Sequence, residues 1–189
     1  MLYTLHSCGH EVPGEHLDWL LAAARAPGIP PGLYDGLGGA AWALLRLGRP
    51  DEGAEVLARA LAAPMPQPNG LASGKAGLAI ALLDFAVATG DRAFADQALS
   101  LGRQLAALPS ARTAVAGVRG LLDGRTGIAA LHLRLYAHTG DEAWTAAARQ
   151  ELTAELDDAD WTDGRLLLQR TSTTGCSPTW GQVDWAWPR

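Results

Sequence analysis

The sequence predicts an all-α chain of helical hairpins arranged as part of an α/α toroid. Three observations carry the prediction. The pattern Gly-Leu-x-x-Gly-x-x-Gly occurs three times, beginning at residues 32, 70 and 120. Each copy runs directly into an apolar helix, and that helix stops at a glycine with an aspartate close behind. Self-similarity at a period of this length means that one supersecondary unit has been copied, and spacings of 38 and 50 residues suit a pair of helices per unit.

The loops are Gly32-Leu33-Tyr34-Asp35-Gly36-Leu37-Gly38-Gly39, Gly70-Leu71-Ala72-Ser73-Gly74-Lys75-Ala76-Gly77 and Gly120-Leu121-Leu122-Asp123-Gly124-Arg125-Thr126-Gly127. They lack the Lys-Ser/Thr ending of a phosphate-binding loop and the flanking strands of a dinucleotide fold. The inner helices that follow, around Ala40–Leu45, Leu78–Leu83 and Ile128–Leu133, are apolar on nearly every side, the mark of burial. At their ends Gly48, Gly90 and Gly140 supply a left-handed residue, and Asp51, Asp91 and Asp141 are expected to cap the next helix. That outer helix is amphipathic. Its expected buried stripes are Phe94, Ala98, Leu101 and Leu105 in one unit and Trp144, Ala148, Leu152 and Leu156 in another. No strand pattern competes. Solenoids and toroids share this layout, and a loop kept at every inner-helix entry favours the toroid, where those ends converge on a central bowl.

Leu2–Gly9 superposes on Ala41–Gly48, so the chain is expected to open inside an inner helix that lacks its loop, followed by an outer helix near Glu15 to Arg25. About half of a ring is therefore expected, as a truncated array. From Arg170 the composition turns to Thr, Ser, Gly and Pro, and Trp180, Trp185 and Trp187 crowd the last ten residues. The expected division is 1–169, a partial repeat domain, and 170–189, a tail outside the repeat.

The chain has 189 residues, 48% hydrophobic and 19% charged, with net charge −5. This is the composition of a folded domain. It carries no basic stripe for nucleic acid and no apolar run near the ~18 residues of a membrane span. Two cysteines, Cys8 and Cys176, make no disulfide framework, and a cytoplasmic setting is expected.

Candidate chemistry is sparse. His6, Cys8, His10 and His16 have metal-ligating side chains but no zinc spacing, and Cys8 is expected to be a buried structural residue with histidines at the surface. His132 takes the place of Leu44 and Leu82, which puts it in the core or facing the bowl. The candidate binding residues are loop residues: Tyr34, Asp35, Ser73, Lys75, Asp123 and Arg125. Asp35 and Asp123 share one motif position and either line the bowl or hydrogen-bond their own loop amides, the second being favoured. Lys75 and Arg125 share another and would make the rim basic. No metal site and no catalytic residues are assigned.

The second loop with its helix, Gly70 to Leu83, resembles the repeat of the lanthionine synthetase C-like family. The third, Gly120 to Asp141, resembles more specifically the cyclase domain of class III lanthipeptide synthetases, and Gly32 to Leu44 fits the same group. The resemblance runs from about Leu2 to Gln169. It implies a toroid of six or seven hairpins and addition of a peptide cysteine to a dehydroamino acid to form a thioether ring. The partner it implies is a lanthipeptide precursor peptide. Zinc-dependent members hold the metal with two Cys and one His in later repeats, so no zinc ligand carries over and no cofactor is expected here. The resemblance also implies that the Arg170–Arg189 tail is out of frame, since reading G/C-rich codons two bases on restores a Leu-Pro-Tyr-Leu motif that opens the next repeat. The chain alone is then expected to be inactive. Two other readings stay open: a six-hairpin carbohydrate-active enzyme, which needs paired carboxylates such as Asp35 and Asp123, and a non-catalytic helical-repeat module that binds peptide.

Overall fold

The computed structural model describes residues 2–65, 69–109, 118–162 and 165–167. The 170–189 tail, with Cys176, lies outside them. The helices are α1 (Leu2–Ser7), α2 (Gly14–Arg25), α3 (Leu37–Arg46), α4 (Pro50–Ala62), α5 (Lys75–Thr89), α6 (Arg92–Ala106), α7 (Arg125–Thr139) and α8 (Ala143–Asp157). A short antiparallel pair follows, β1 (Asp160–Thr162) with β2 (Arg165–Leu167), in the register Asp160 opposite Leu167. Among the described residues this pair is the one departure from the expected absence of strands. No helix among the described residues is long and apolar enough to cross a membrane.

The corners between inner and outer helices repeat nearly atom for atom. Gly90 and Gly140 take φ of 74° and 72°, a left-handed conformation that costs little without a Cβ. Thr89 Oγ1 donates to the Phe85 carbonyl at 2.7 Å and Thr139 Oγ1 to the Leu135 carbonyl at 2.8 Å. The Asp91 carboxylate then accepts from Ala93 N at 2.9 Å, and Asp141 from Ala143 N at 3.0 Å, so both aspartates cap as expected. Asp51 does not. It lies inside the first turn of α4, which Pro50 opens with its preset φ and missing N–H.

The superposition of α1 on α3 holds in the hydrogen bonds. His10 N donates to the Leu5 carbonyl and Gly9 N to that of His6, just as Arg49 N donates to Leu44 and Gly48 N to Leu45. α1 packs on α3 through a Tyr3–Trp42 edge contact at 4.7 Å, with the Arg46 guanidinium over both rings. Cys8, expected to be buried, is exposed. It lies just past the end of α1, a helix that itself buries no residue.

Inner helices α3, α5 and α7 pack side by side in chain order. α4, α6 and α8 lie against their own inner helices α3, α5 and α7, and α2, α4 and α6 each touch the inner helix that follows. The core sits between these two layers. Phe85, Leu44, Leu57, Leu78, Leu82, Leu105, Ile128, Leu131 and Leu135 are fully buried, each such side chain contributing ~1.5–3 kcal/mol. On the outer layer Arg25 pairs with Glu55 at 2.7 Å, and Arg59 donates to the Ala24 carbonyl at 2.6 Å, filling an open acceptor at the end of α2.

On α8 the predicted stripe is corrected. Trp144 and Ala148 are buried, but Leu152 and Leu156 are exposed, and Glu151 and Glu155 take their places inside. A spacing of four residues drifts by about 40° per step on a helix of 3.6 residues per turn, so the fourth member has left the face. The stripe that stays on it is 144, 148, 151 and 155. His132, on α7, is wholly in the core, 5.7 Å from the Trp144 ring.

Candidate functional site

The three glycine loops, far apart in sequence, form one continuous strip at the entrances of α3, α5 and α7. Tyr34 N donates to the Ala72 carbonyl at 2.9 Å, and Ala72 N donates to the Leu122 carbonyl at 2.7 Å. Four of the motif glycines have a steric reason in the contact between neighbouring loops. A Cβ on Gly32 would meet Ser73 Cα at 2.6 Å and the Ala72 carbonyl at 2.7 Å; one on Gly70 would meet Asp123 Cα and the Leu122 carbonyl at 2.8 Å. The last glycine of a loop receives the leucine of the loop before it. A Cβ on Gly77 would sit 2.8 Å from Leu33 Cβ, and one on Gly127 2.9 Å from Leu71 Cβ.

All six candidate residues lie on this strip, with different roles. Tyr34 is 66% exposed and Asp35 is exposed as well; Ser73, Lys75 and Asp123 are half-buried. Arg125 points elsewhere. Its guanidinium donates to the Ala154 carbonyl at 2.8 Å and pairs with Asp158, which ties the loop to the end of α8 and removes that charge from the rim. Neither Asp35 nor Asp123 makes a side-chain hydrogen bond among the described residues, so the favoured reading, that they bond their own loop amides, is not what the structure shows.

Glu155 does that work in the third loop. Its carboxylate accepts from Arg125 N at 2.7 Å and from Gly120 N, joining α8 to the loop entrance. The sequence reading missed it. The available signal was a pair of glutamates, 151 and 155, on the face that Trp144 and Ala148 define.

Two features bear on chemistry. Asp35 and Asp123 belong to the first and third loops, with the second loop stacked between them, so they are not adjacent carboxylates. His132 has no hydrogen-bond partner at either ring nitrogen among the described residues, and burial pushes its pKa down from the usual 6.5, outweighing the nearby backbone of Ala147 and Gly102. His6, Cys8, His10 and His16 do not converge, and among the described residues no three His, Cys, Asp or Glu side chains gather as a metal site would require.

The fold and strip define a helical-hairpin repeat protein whose loops form one edge. The chain is 35% identical over 180 residues to the probable SapB synthase of Streptomyces coelicolor (strain ATCC BAA-471 / A3(2) / M145), covering 82% of this chain and 18% of that protein. It thus spans less than a fifth of the length of the relative it matches. No family model matches the chain, and no solved structure matches it significantly.

Proposed function

We propose that the chain is a segment of a lanthionine synthetase C-like cyclase of the class III lanthipeptide type, serving thioether ring formation on a precursor peptide. The observation that carries this reading is the strip itself: three loops with the repeat pattern of that family, stacked in register at the inner-helix entrances. The relative is by name a probable synthase, which supports a biosynthetic role for the proteins that share this sequence. In this reading the inner layer continues beyond these units into a closed toroid.

The reaction adds the Sγ of a cysteine thiolate to Cβ of a dehydroamino acid. The carbon–sulfur bond forms as the carbon–carbon double bond opens, and a proton is delivered to Cα. Tyr34, Asp35, Ser73, Lys75 and Asp123 are exposed or half-buried polar groups on the strip, and their role would be to hold an extended peptide. Arg125 is a positioning residue for the third loop. The described residues do not fit zinc, because no ligand trio forms, and no step here is routed through a metal.

The test is an exchange of segments. Residues 2–169 replace the matching part of the Streptomyces coelicolor relative, and ring formation on dehydrated precursor is counted by mass spectrometry after thiol alkylation. The chimera is expected to form thioether rings, and Tyr34→Ala with Lys75→Ala to slow it at least tenfold. The unfused chain is expected to leave all thiols alkylatable. A folded chimera that forms no rings overturns the proposal.

A further inference from the structure

The outer helices cover one side of the inner layer. On its other side two rows of side chains cross from helix to helix. The first row is an apolar shelf of Tyr3 on α1, Trp42 on α3, Ile80 on α5 and Ala130 on α7, all half-buried. One helical turn further along stands a charged row of Arg46, Asp84 and Arg134, which occupy the same position in their three units. The rows are tied together. Asp84 accepts from Trp42 Nε1 at 2.8 Å through one oxygen and from the Arg134 guanidinium through the other. The indole held in this way forms a floor, with Tyr3, for the Arg46 guanidinium, which lies 5.6 Å from the Trp42 ring and 5.9 Å from the Tyr3 ring. Arg46 is exposed, and no carboxylate among the described residues pairs with it. Two guanidiniums against one carboxylate leave the row a positive charge. Because Asp84 is engaged by Trp42 and Arg134, that charge rests on Arg46.

We infer that Arg46 binds the carboxylate of an acidic side chain in an extended peptide whose apolar residues lie along the shelf. A guanidinium stacked on aromatic rings keeps its N–H edge free, and that edge matches a carboxylate in a planar, forked geometry. The rings also hold the long side chain in place before the ligand arrives, which reduces the ordering cost of binding. An exposed ion pair is weak by itself, so the neighbouring apolar surface has to contribute as well. The shelf has the length for it. Trp42 and Ala130 are two helix spacings apart, roughly 16–20 Å, which about six extended residues span. A basic side chain at the same point would face Arg46 and be rejected. The inference stands apart from the cyclase reading, because no glycine-loop residue and no reaction step enters it. Asp84 acts here as a positioning residue, through Trp42, and does not itself meet the ligand.

The experiment titrates the full chain with a capped hexapeptide, Glu-Leu-Ser-Leu-Ser-Ala, and with versions carrying Gln or Lys in place of Glu. Binding is followed through the indole Nε1–H signal of Trp42 in nuclear magnetic resonance, assigned by its loss in Trp42→Phe. The Glu peptide is expected to shift this signal and to bind about fivefold more tightly than the Gln peptide, the scale of one exposed, well-placed ion pair. Arg46→Gln is expected to bind the two equally, and Arg46→Glu to prefer the Lys peptide. Arg103→Gln removes the same charge from the exposed side of α6 and is expected to keep the preference for Glu. Helical circular dichroism verifies that each variant is folded. Equal binding of the Glu and Gln peptides by the native chain overturns the inference, as does a Glu preference that survives Arg46→Gln. Loss of the preference in Arg103→Gln overturns it too, since net charge would then be the cause. Acetate that shifts Trp42 at the same concentrations as the Glu peptide would show a site for any small carboxylate, and overturns the peptide assignment. The probes contain neither thiol nor dehydroamino acid, so failure here leaves the cyclase reading untouched.

Discussion

Two buried side chains carry opposite consequences for stability. Glu155 satisfies the N–H groups of Gly120 and Arg125 from inside the fold. Glu155→Ala leaves two donors with no acceptor and is expected to cost ~1–3 kcal/mol in urea unfolding, with Glu155→Gln costing less because one oxygen still accepts. His132 is buried with neither nitrogen hydrogen-bonded among the described residues, where the other two copies have Leu44 and Leu82. Because burial lowers its pKa in the folded state, the neutral form is held there while the unfolded chain takes up a proton. Its contribution is therefore unaffected above the unfolded value of about 6.5 and becomes destabilising as pH falls below it. His132→Leu is expected to raise the thermal midpoint at pH 5 more than at pH 8, and equal gains at both would refute this account. The sequence showed that position 132 breaks the leucine pattern. It could not show which nitrogens go unsatisfied, because the neighbours Gly102, Trp144 and Ala147 come from two other helices.

At the scale of elements, the inner helices and their corners were legible residue by residue. Gly90-Asp91 and Gly140-Asp141 form the expected stop and cap because both act within a few residues of chain. Asp91→Ala is expected to cost ~1 kcal/mol in chemical unfolding, the typical loss of an N-cap. Asp51→Ala is expected to cost a few tenths at most, since that residue caps nothing. Outer helices were harder to read. Their apolar content is low enough that several stripes compete, and on α8 the stripe with four aliphatic or aromatic residues lost to one with two glutamates. The reason is geometric: only residues at spacings of three and four together stay on one face, and the loop amides beneath α8 needed an acceptor.

Across the whole molecule the glycines transmit order between units. Gly70→Ala puts a Cβ against the Leu122 carbonyl and Asp123 Cα, both at 2.8 Å, so it is expected to separate the second and third loops. The measurement is exchange of the Ala72 amide, which should quicken at least tenfold while the Tyr34 amide, one loop earlier, stays protected; uniform quickening would mean global destabilisation instead. The repeat count, the two-layer arrangement and the inner-helix burial all follow from periodicity, because copied units with one apolar side can bury it only against each other. The sequence by itself thus determined the unit, its helices and its corners, all set by interactions within about forty residues. Only the tertiary structure decided what the polar residues do. Arg125 turned from the rim to α8, Glu155 replaced the loop aspartates as acceptor, and Cys8 came to the surface, because each of these choices depends on which distant backbone groups arrive nearby once the units stack.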